Sequence, residues 1–415
     1  MKKGLVFMMM ILMVVGAFGQ TITFLHSGGT VVAGGTAFGM AEAKLKRDYP
    51  NAKVSYLKID LSDGSTLTMD ALLAAGNAPN VYQDSTVRAG KYMLPEFALP
   101  LEGVRDLNKY IQSSLNPYIR GGKLLAIPCP AVPMGMAINL DIMKEIGYTV
   151  PKDWTTDDFL KMAELVKQKY KGKIHPTGMF AANQSGDYLI NCWHSSFGIE
   201  WYQNGNHDKS TFAETGGYKV YEWFQKLVKN EYVAPNAASL SDDDYVSDWP
   251  NGKLAASAFS PGWTKIYFDT ALANKTITKP FEYTFVPFPR APGVKKVPTY
   301  INGGVTLVHK TGNKVVDEIA VRFVEYLGAA DIQSAMALAV GAAPMRVDST
   351  QPKDYHVAEV MKIVADNGYM DVGLTDPRFT ERRALQFPIL QQVLNLKIDP
   401  KVAAEKFDKA LESIK

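Results

Sequence analysis

The sequence predicts an α/β fold in two lobes, each a mostly parallel sheet flanked by helices, with a cleft between them. Three observations carry that expectation. Apolar runs of strand length alternate with amphipathic runs of helix length, the pattern that builds sheets covered by helices. At 415 residues the chain is too long for one hydrophobic core. The stretch from Gly122 to Lys167 reads as a strand that leaves one sheet, crosses a stiff joint and enters another.

In that stretch Leu124 to Ile127 is a buried-strand run cut at Pro128. Pro128, Pro130 and Pro133 fix φ and remove backbone donors, so the bend they mark cannot sit inside a central strand. We read these prolines as a hinge. Met134 to Ile138 is a second extended run, and Asn139 is a good helix N-cap. Ile142, Met143 and Ile146 then form one apolar stripe, stopped by Gly147. Thr155-x-x-Asp158 is a capping box for a helix that buries Phe159, Met162, Ala163 and Val166.

From the start of the chain, Ile22 to Leu25 form a strand ending in His26-Ser27-Gly28-Gly29. The glycine segment through Gly34-Gly35-Thr36 is nearly a phosphate-binding loop, but Gly35 stands where that motif requires Lys, so nucleotide binding is rejected. What remains is a glycine loop before a helix with Phe38, Ala41 and Leu45 on one face. It either presents N–H groups to a polar ligand or is a flexible turn. Lys53 to Ile59 reads as a strand, Leu67 to Ala75 as a helix, and Pro79 to Gln83 as a strand followed by Asp84-Ser85 at a helix start. Ligands of such sheets sit beyond the carboxyl ends of the strands, where His26, Ser27, Asp84 and Ser85 lie.

Beyond the joint, Thr177 to Phe180 reads as a strand, and Ser185-Gly186-Asp187-Tyr188 opens a helix carrying Trp193 and Phe197. Gly216 to Lys229 is an amphipathic helix. Asp242-Asp243-Asp244 lacks the spacing of a calcium loop and reads as a solvated turn. A strand to Phe259 ends at Pro261-Gly262-Trp263. Pro287, Pro289, Pro292 and Pro298 mark a second crossing, and Ile301-Asn302-Gly303-Gly304 leads into a strand from Val305 to His309. A helix from Asn313 places Val316, Ile319, Phe323 and Tyr326 on one side, and the last helix runs from Val402 to Ile414. The lobes are thus discontinuous: 20–128 with 299–345, and 129–298 with 346–415, with crossings near 128–134, 289–300 and 345–350.

Composition is that of an ordinary globular protein, 47% hydrophobic and 21% charged, with net charge +3. Nothing in it argues for nucleic acid or an anionic membrane surface. Lys2 and Lys3 followed by the apolar run Gly4 to Val15 and by Ala17-Phe18-Gly19 read as a signal peptide over 1–19, cleaved before Gln20; an uncleaved anchor is the alternative. The two cysteines, Cys129 and Cys192, are expected as buried thiols rather than a disulfide. No nucleophile elbow, H-E-x-x-H or CxxC occurs, and the six histidines are scattered, so no catalytic residue, metal or cofactor is expected.

Gly122-Lys123, Ile127-Pro128, Ala137-Ile138-Asn139-Leu140-Asp141, Gly147, Pro151 and Trp154 resemble the hinge signature of extracellular solute-binding proteins. The subgroup is the carbohydrate type, maltose-binding-protein-like, that serves ABC importers. Trp249 to Ala256 resembles that family's F-x-x-G-K-x-A-M segment, and Gly341 to Arg346 its terminal loop. Asn80 departs from the family's proline-aspartate pattern. The resemblance implies a type II periplasmic-binding-protein-like fold and a monomer without enzymatic activity. It also implies an inner-membrane permease partner with a separate ATPase. Gln20, where lipid-anchored members carry Cys, fits a soluble periplasmic protein.

A sugar needs donors and acceptors at its ring edge and aromatic faces above and below. Most of the six Trp, 20 Tyr and 19 Phe must be core, Trp154 and Trp193 among them. Trp263, at a strand end, resembles the family's stacking tryptophan. Asp187 and Tyr188 resemble its second-lobe contact pair, and Asp84, Ser85 and Arg88 the first-lobe loop that grips hydroxyls. Asp84 also reads as a helix N-cap. His26, Ser27, Asn302 and Gly303 line the same mouth by topology. Arg346, Arg383 and Phe387 follow from the C-terminal helices that complete the site in the family. The expected ligand is a neutral oligosaccharide. A glycerol-phosphate ester, polyamine or metal stays open as ligand, and a secreted glycoside hydrolase as a different class, since paired carboxylates assemble only in space.

Overall fold

β1 (Thr21–Ser27) leads directly into α1 (Gly28–Asp48) in the computed structural model, which describes residues 20–59, 67–151, 154–184, 187–202, 209–368, 376 and 378–414. The expected signal segment 1–19 and Ser185-Gly186 lie outside the described residues. The glycine segment expected as a loop is helical from Gly28. Each glycine there costs roughly 1 kcal/mol relative to Ala, but Phe38, Ala41 and Leu45 are buried at helical spacing and hold the element in place.

β2 (Lys53–Ile59), α2 (Leu67–Ala74), β3 (Val81–Ser85), α3 (Thr86–Ala89) and α4 (Gln112–Leu115) follow. The short pair β4 (Ile119–Arg120) and β5 (Lys123–Leu124) precedes β6 (Ala126–Pro133). Just before β3, Asn80 Oδ1 accepts from the Thr23 amide at 2.7 Å and the Thr23 hydroxyl at 3.0 Å. The residue that departs from the family pattern thus ties β1 to β3.

β6 runs through all three prolines, whereas the sequence reading ended the strand at Pro128. The reason is position: the first sheet has the order β2-β1-β3-β11-β6, where β11 is Ile301–Val308, so β6 is an edge strand and can spare the missing donors. The chain passes at Met134 into β7 (Gly135–Asn139) of a second sheet. There the order is β10-β7-β9-β8, with β8 His175–Thr177, β9 Leu254–Phe259 and β10 Tyr283–Val286. Residues 287–300 carry the chain back to β11.

The fold is two-lobed α/β as expected, but the sheets are mixed. β1 is parallel to β2 and β3, while β11 is antiparallel to β3 and β6, and β7 to β9 and β10. Strands that enter a sheet from the other lobe arrive without a covering crossover helix, and that frees them to run antiparallel.

Helices complete each lobe. α5 (Leu140–Glu145) is capped by Asn139, and α6 (Thr156–Tyr170) by the full Thr155/Asp158 box. α7 (Asp187–Ser196), α8 (Gly217–Lys229), α9 (Asp242–Asp248) and α10 (Pro261–Ala273) belong to the second lobe. α11 (Lys314–Leu327) and α12 (Ala330–Val340) pack on α1 in the first. α13 (Tyr355–Asn367), α14 (Phe379–Ala384), α15 (Gln386–Leu394) and α16 (Pro400–Ser413) return to the second, where α13 packs on β10 and α15 and α16 on α8. The second lobe holds one core around Phe159, Trp193, Trp223 and Phe224. The first holds two, on opposite faces of its sheet, Phe24 and Val81 on one and Leu25 and Tyr82 on the other. Trp154 is core as expected, and Cys129 and Cys192 are buried thiols. Burial raises both thiols, Cys129 to about 11.

Candidate functional site

β3 delivers Asp84 and Ser85 to its carboxyl end, where α3 begins. Asp84 is 1% exposed and accepts from the Tyr82 hydroxyl at 2.7 Å, the Ser85 amide at 2.7 Å and Arg88 Nε at 2.8 Å. A second bond from Arg88 Nη2 makes the pair bidentate. Ser85, not Asp84, occupies the N-cap position, and it makes no side-chain cap bond. Burial works against the Arg88 charge, but Asp84 beside it outweighs that, and the guanidinium is held above its usual range.

Asp187 opens α7 from the second lobe and is equally buried. Arg383 of α14 donates to it from Nη2 at 3.0 Å. Arg383 Nε lies 2.9 Å from the other oxygen but is poorly aligned, leaving both atoms without a hydrogen bond. Arg383 also donates to the Gln184 carbonyl. Burial pushes the Asp187 carboxyl up; Arg383 and then Arg88, reaching across from the first lobe, pull it down. The Thr380 hydroxyl donates to the Val87 carbonyl at 2.7 Å, seating α14 on α3. Five of the expected residues, Asp84, Ser85, Arg88, Asp187 and Arg383, thus meet where the lobes touch.

Next to them, Tyr188 meets Trp263 edge-on, with ring centroids 5.2 Å apart. Trp263 stands at the start of α10, its amide bonded to the capping Ser260 hydroxyl at 3.3 Å. The Tyr188 hydroxyl donates to Asp242 at 2.8 Å. Burial pushes the Asp242 carboxyl up to about 6; the Tyr188 bond opposes this, while Asp243 and Asp187 add to it. Asp242 is therefore not the solvated turn residue expected. Ser241 and Asp244 form a capping box, so the acidic run is the first turn of α9 and turns Asp242 toward Tyr188. The Ser241-x-x-Asp244 spacing was the available signal.

The remaining expected residues are spread more widely. His26 is 3% exposed and packs on Phe24 and Phe38 with centroids at 5.4 and 5.7 Å, so it is core of the first lobe. Ser27 ends β1 opposite Ile59. Asn302 and Gly303 pair with Val132 and Ala131, and Gly304 faces Ser85, which sets this part of β11 beside the Asp84 corner. Arg346 spends its donors on Asp348, twice at 2.8 Å, and on the Gly328 carbonyl, away from the ion pairs. Phe387 is buried in the second-lobe core. A cavity of about 150 Å³ opens at the crossings, lined by Pro128, Pro133, Ile301, Gly303, Met345 and Met361 among others. Its walls are mostly apolar, with Thr86 and Ser114 among them, and do not include Trp263.

The sequence profile of the family described as bacterial extracellular solute-binding protein matches residues 41–362. The chain belongs to this family. Among curated relatives, the arabinooligosaccharide-binding protein of Bacillus subtilis is 23% identical over 198 residues, covering 46% of this chain and 44% of that protein. The chain therefore spans less than half the length of that relative. Two solved structures share the fold over 95% of this chain and 98% of their own at 16% identity. One is an ABC substrate-binding protein of Listeria monocytogenes in complex with cycloalternan, TM-score 0.74; the other is a chitin oligosaccharide binding protein, TM-score 0.77. In this solute-binding protein the family match takes in Asp84, Arg88, Asp187, Tyr188, Asp242 and Trp263; Arg383 lies beyond it.

Proposed function

We propose that this solute-binding protein captures a neutral oligosaccharide between its lobes in the periplasm and delivers it to the inner-membrane permease of an ABC importer, whose ATPase is a separate chain. One observation carries the reading: the Asp84–Arg88 pair of one lobe and the Asp187–Arg383 pair of the other converge beside the Tyr188–Trp263 edge. Carboxylates accept from sugar hydroxyls, guanidiniums donate to them, and an indole face covers the C–H side of a ring. The two pairs balance in charge. A phosphate ester calls for a surplus of cations, which the pairs do not supply, and a polyamine for a cluster of open carboxylates, whereas Asp242 beside the pairs is bonded to Tyr188 and pushed up to about 6 by burial, so the set favours a neutral guest.

The relatives named above, one for arabinooligosaccharides, one solved with cycloalternan and one for chitin oligosaccharides, point the same way. On this reading the lobe bounds expected after 128 and after 298 move to 133 and 300, where β6 ends and β11 begins, and the lobes move about crossings near Met134, 287–300 and 345–350. Hinge closure is general behaviour of the family, and it is driven only by higher ligand affinity in the closed state. No catalytic step, metal or cofactor enters, and the protein acts as a monomer after loss of residues 1–19.

Thermal-shift measurement of the mature protein against mono- and oligosaccharides, phosphate esters and polyamines tests this. A neutral oligosaccharide should raise Tm and be recovered unchanged. Trp263→Ala should weaken its binding by about 2 kcal/mol or more. A Tm rise with a phosphate ester or polyamine alone would overturn the ligand class, and turnover of a glycoside would overturn the binding role.

A further inference from the structure

We propose that Gly262 and Gly341 form a seat on which the two lobes close, and that this seat positions Trp263 against the first lobe. The inference rests on the reading of the protein as a two-lobed sugar trap. Gly262 lies in the first turn of α10, which follows β9 of the second sheet, and Gly341 is the C-cap of α12, which packs on α1 and β6 of the first.

The two elements touch backbone to backbone. A Cβ on Gly262 would stand 1.7 Å from the Val340 oxygen and 2.6 Å from the Val340 carbonyl carbon. A Cβ on Gly341 would stand 2.6 Å from Gly262 Cα and 3.0 Å from its nitrogen. No side chain can rotate away to relieve either clash.

The two glycines differ in what demands them. Gly341 has φ +57°, the left-handed conformation that ends α12, so its own helix already requires glycine. Gly262 has no such φ, and every atom a Cβ there would meet first belongs to Val340 or Gly341. The closest obstacles to a side chain at Gly262 all lie across the contact, so the missing Cβ there serves the opposite lobe. The meeting ends also suit one another: the last carbonyls of α12 carry partial negative charge, and the first amides of α10 partial positive charge. Because Trp263 is the next residue, anything that lifts Gly262 off the seat also shifts the indole relative to Asp84 and Arg88.

The test is Gly262→Ala in the full mature chain, with spin labels on cysteines introduced at Ile266 and Leu338. Both are exposed, 44% and 72%, and sit about one turn from the seat on α10 and α12. The unliganded variant should melt no lower than the parent, since Ala favours a helix over Gly. The parent should show a short label-to-label distance, enriched by whichever of arabinotriose, raffinose, maltose or chitobiose it binds. The variant should lose that population and bind the same sugar about tenfold more weakly or worse. A variant that keeps both the short distance and the parent's affinity overturns the seat, as does a parent that never shows the short distance. If the substitution abolishes the short distance but no sugar binds the parent, the seat stands and the sugar reading falls.

Discussion

Asp242 is a residue whose chemistry the fold changes. Its carboxyl is held at about 6 by burial, against about 3.9 in an unfolded chain. The folded state therefore keeps a proton that the unfolded chain has already released, and stability from this group is full below about pH 4 and lost as pH rises through about 6. At neutral pH its charge is a cost of at most about 3 kcal/mol. Asp242→Asn removes the charge and keeps an oxygen for the Tyr188 hydroxyl. Urea unfolding should find the variant more stable than the parent at pH 7.5, with the difference gone near pH 4. An equal difference at both pH values would mean the carboxyl is not held protonated. At this scale the sequence was partly legible. Asp84 and Arg88 stand four apart across the start of α3, so their pairing could be read locally, whereas Asp187 and Arg383 are joined only by the fold. His26 stood at a strand end like Asp84, but Phe24 and Phe38 close over it, and Arg346 found Asp348 two residues on.

Elements were more legible than contacts, because caps and breakers act within a few residues. Asn139 shows this: it is 2% exposed, and its Oδ1 accepts from the Ile142 amide at 3.1 Å. That bond stops β7 and starts α5 at the first step inside the second lobe. Asn139→Ala should lower stability by about 1 to 2 kcal/mol, read as a fall in the urea midpoint at unchanged slope. An unchanged midpoint would leave the turn to backbone geometry alone. The Thr155 box was read from the same local rule. Apart from the Ser241 box and the helical glycine segment of α1, the failures were those of partners distant in sequence. Whether prolines break a strand depends on whether it lies at an edge, and only β11, some 170 residues on, makes β6 an edge strand. The direction of β7 and β11 likewise depends on which lobe the chain arrives from, and no window of a few residues carries that.

Across the whole molecule, two sets of cores are joined by three crossings and by the contacts of α14 on α3 and α10 on α12. The paired charges of the candidate site are divided between the lobes, Asp84 and Arg88 on one and Asp187 and Arg383 on the other. A guest that touches only one lobe would bind open and closed forms equally and could drive no closure, however tightly it bound. A guest that bridges them must suppress local opening in both. Hydrogen exchange in saturating sugar should therefore slow together in 81–89 of the first lobe and in 187–196 and 261–273 of the second. The outer helices, 314–327 and 400–413, should change little, because they face neither the ion pairs nor Trp263. Slowing confined to 187–196 and 261–273 would put the sugar on the second lobe alone, leave Arg88 a purely structural partner of Asp84, and remove the differential affinity on which capture between lobes depends.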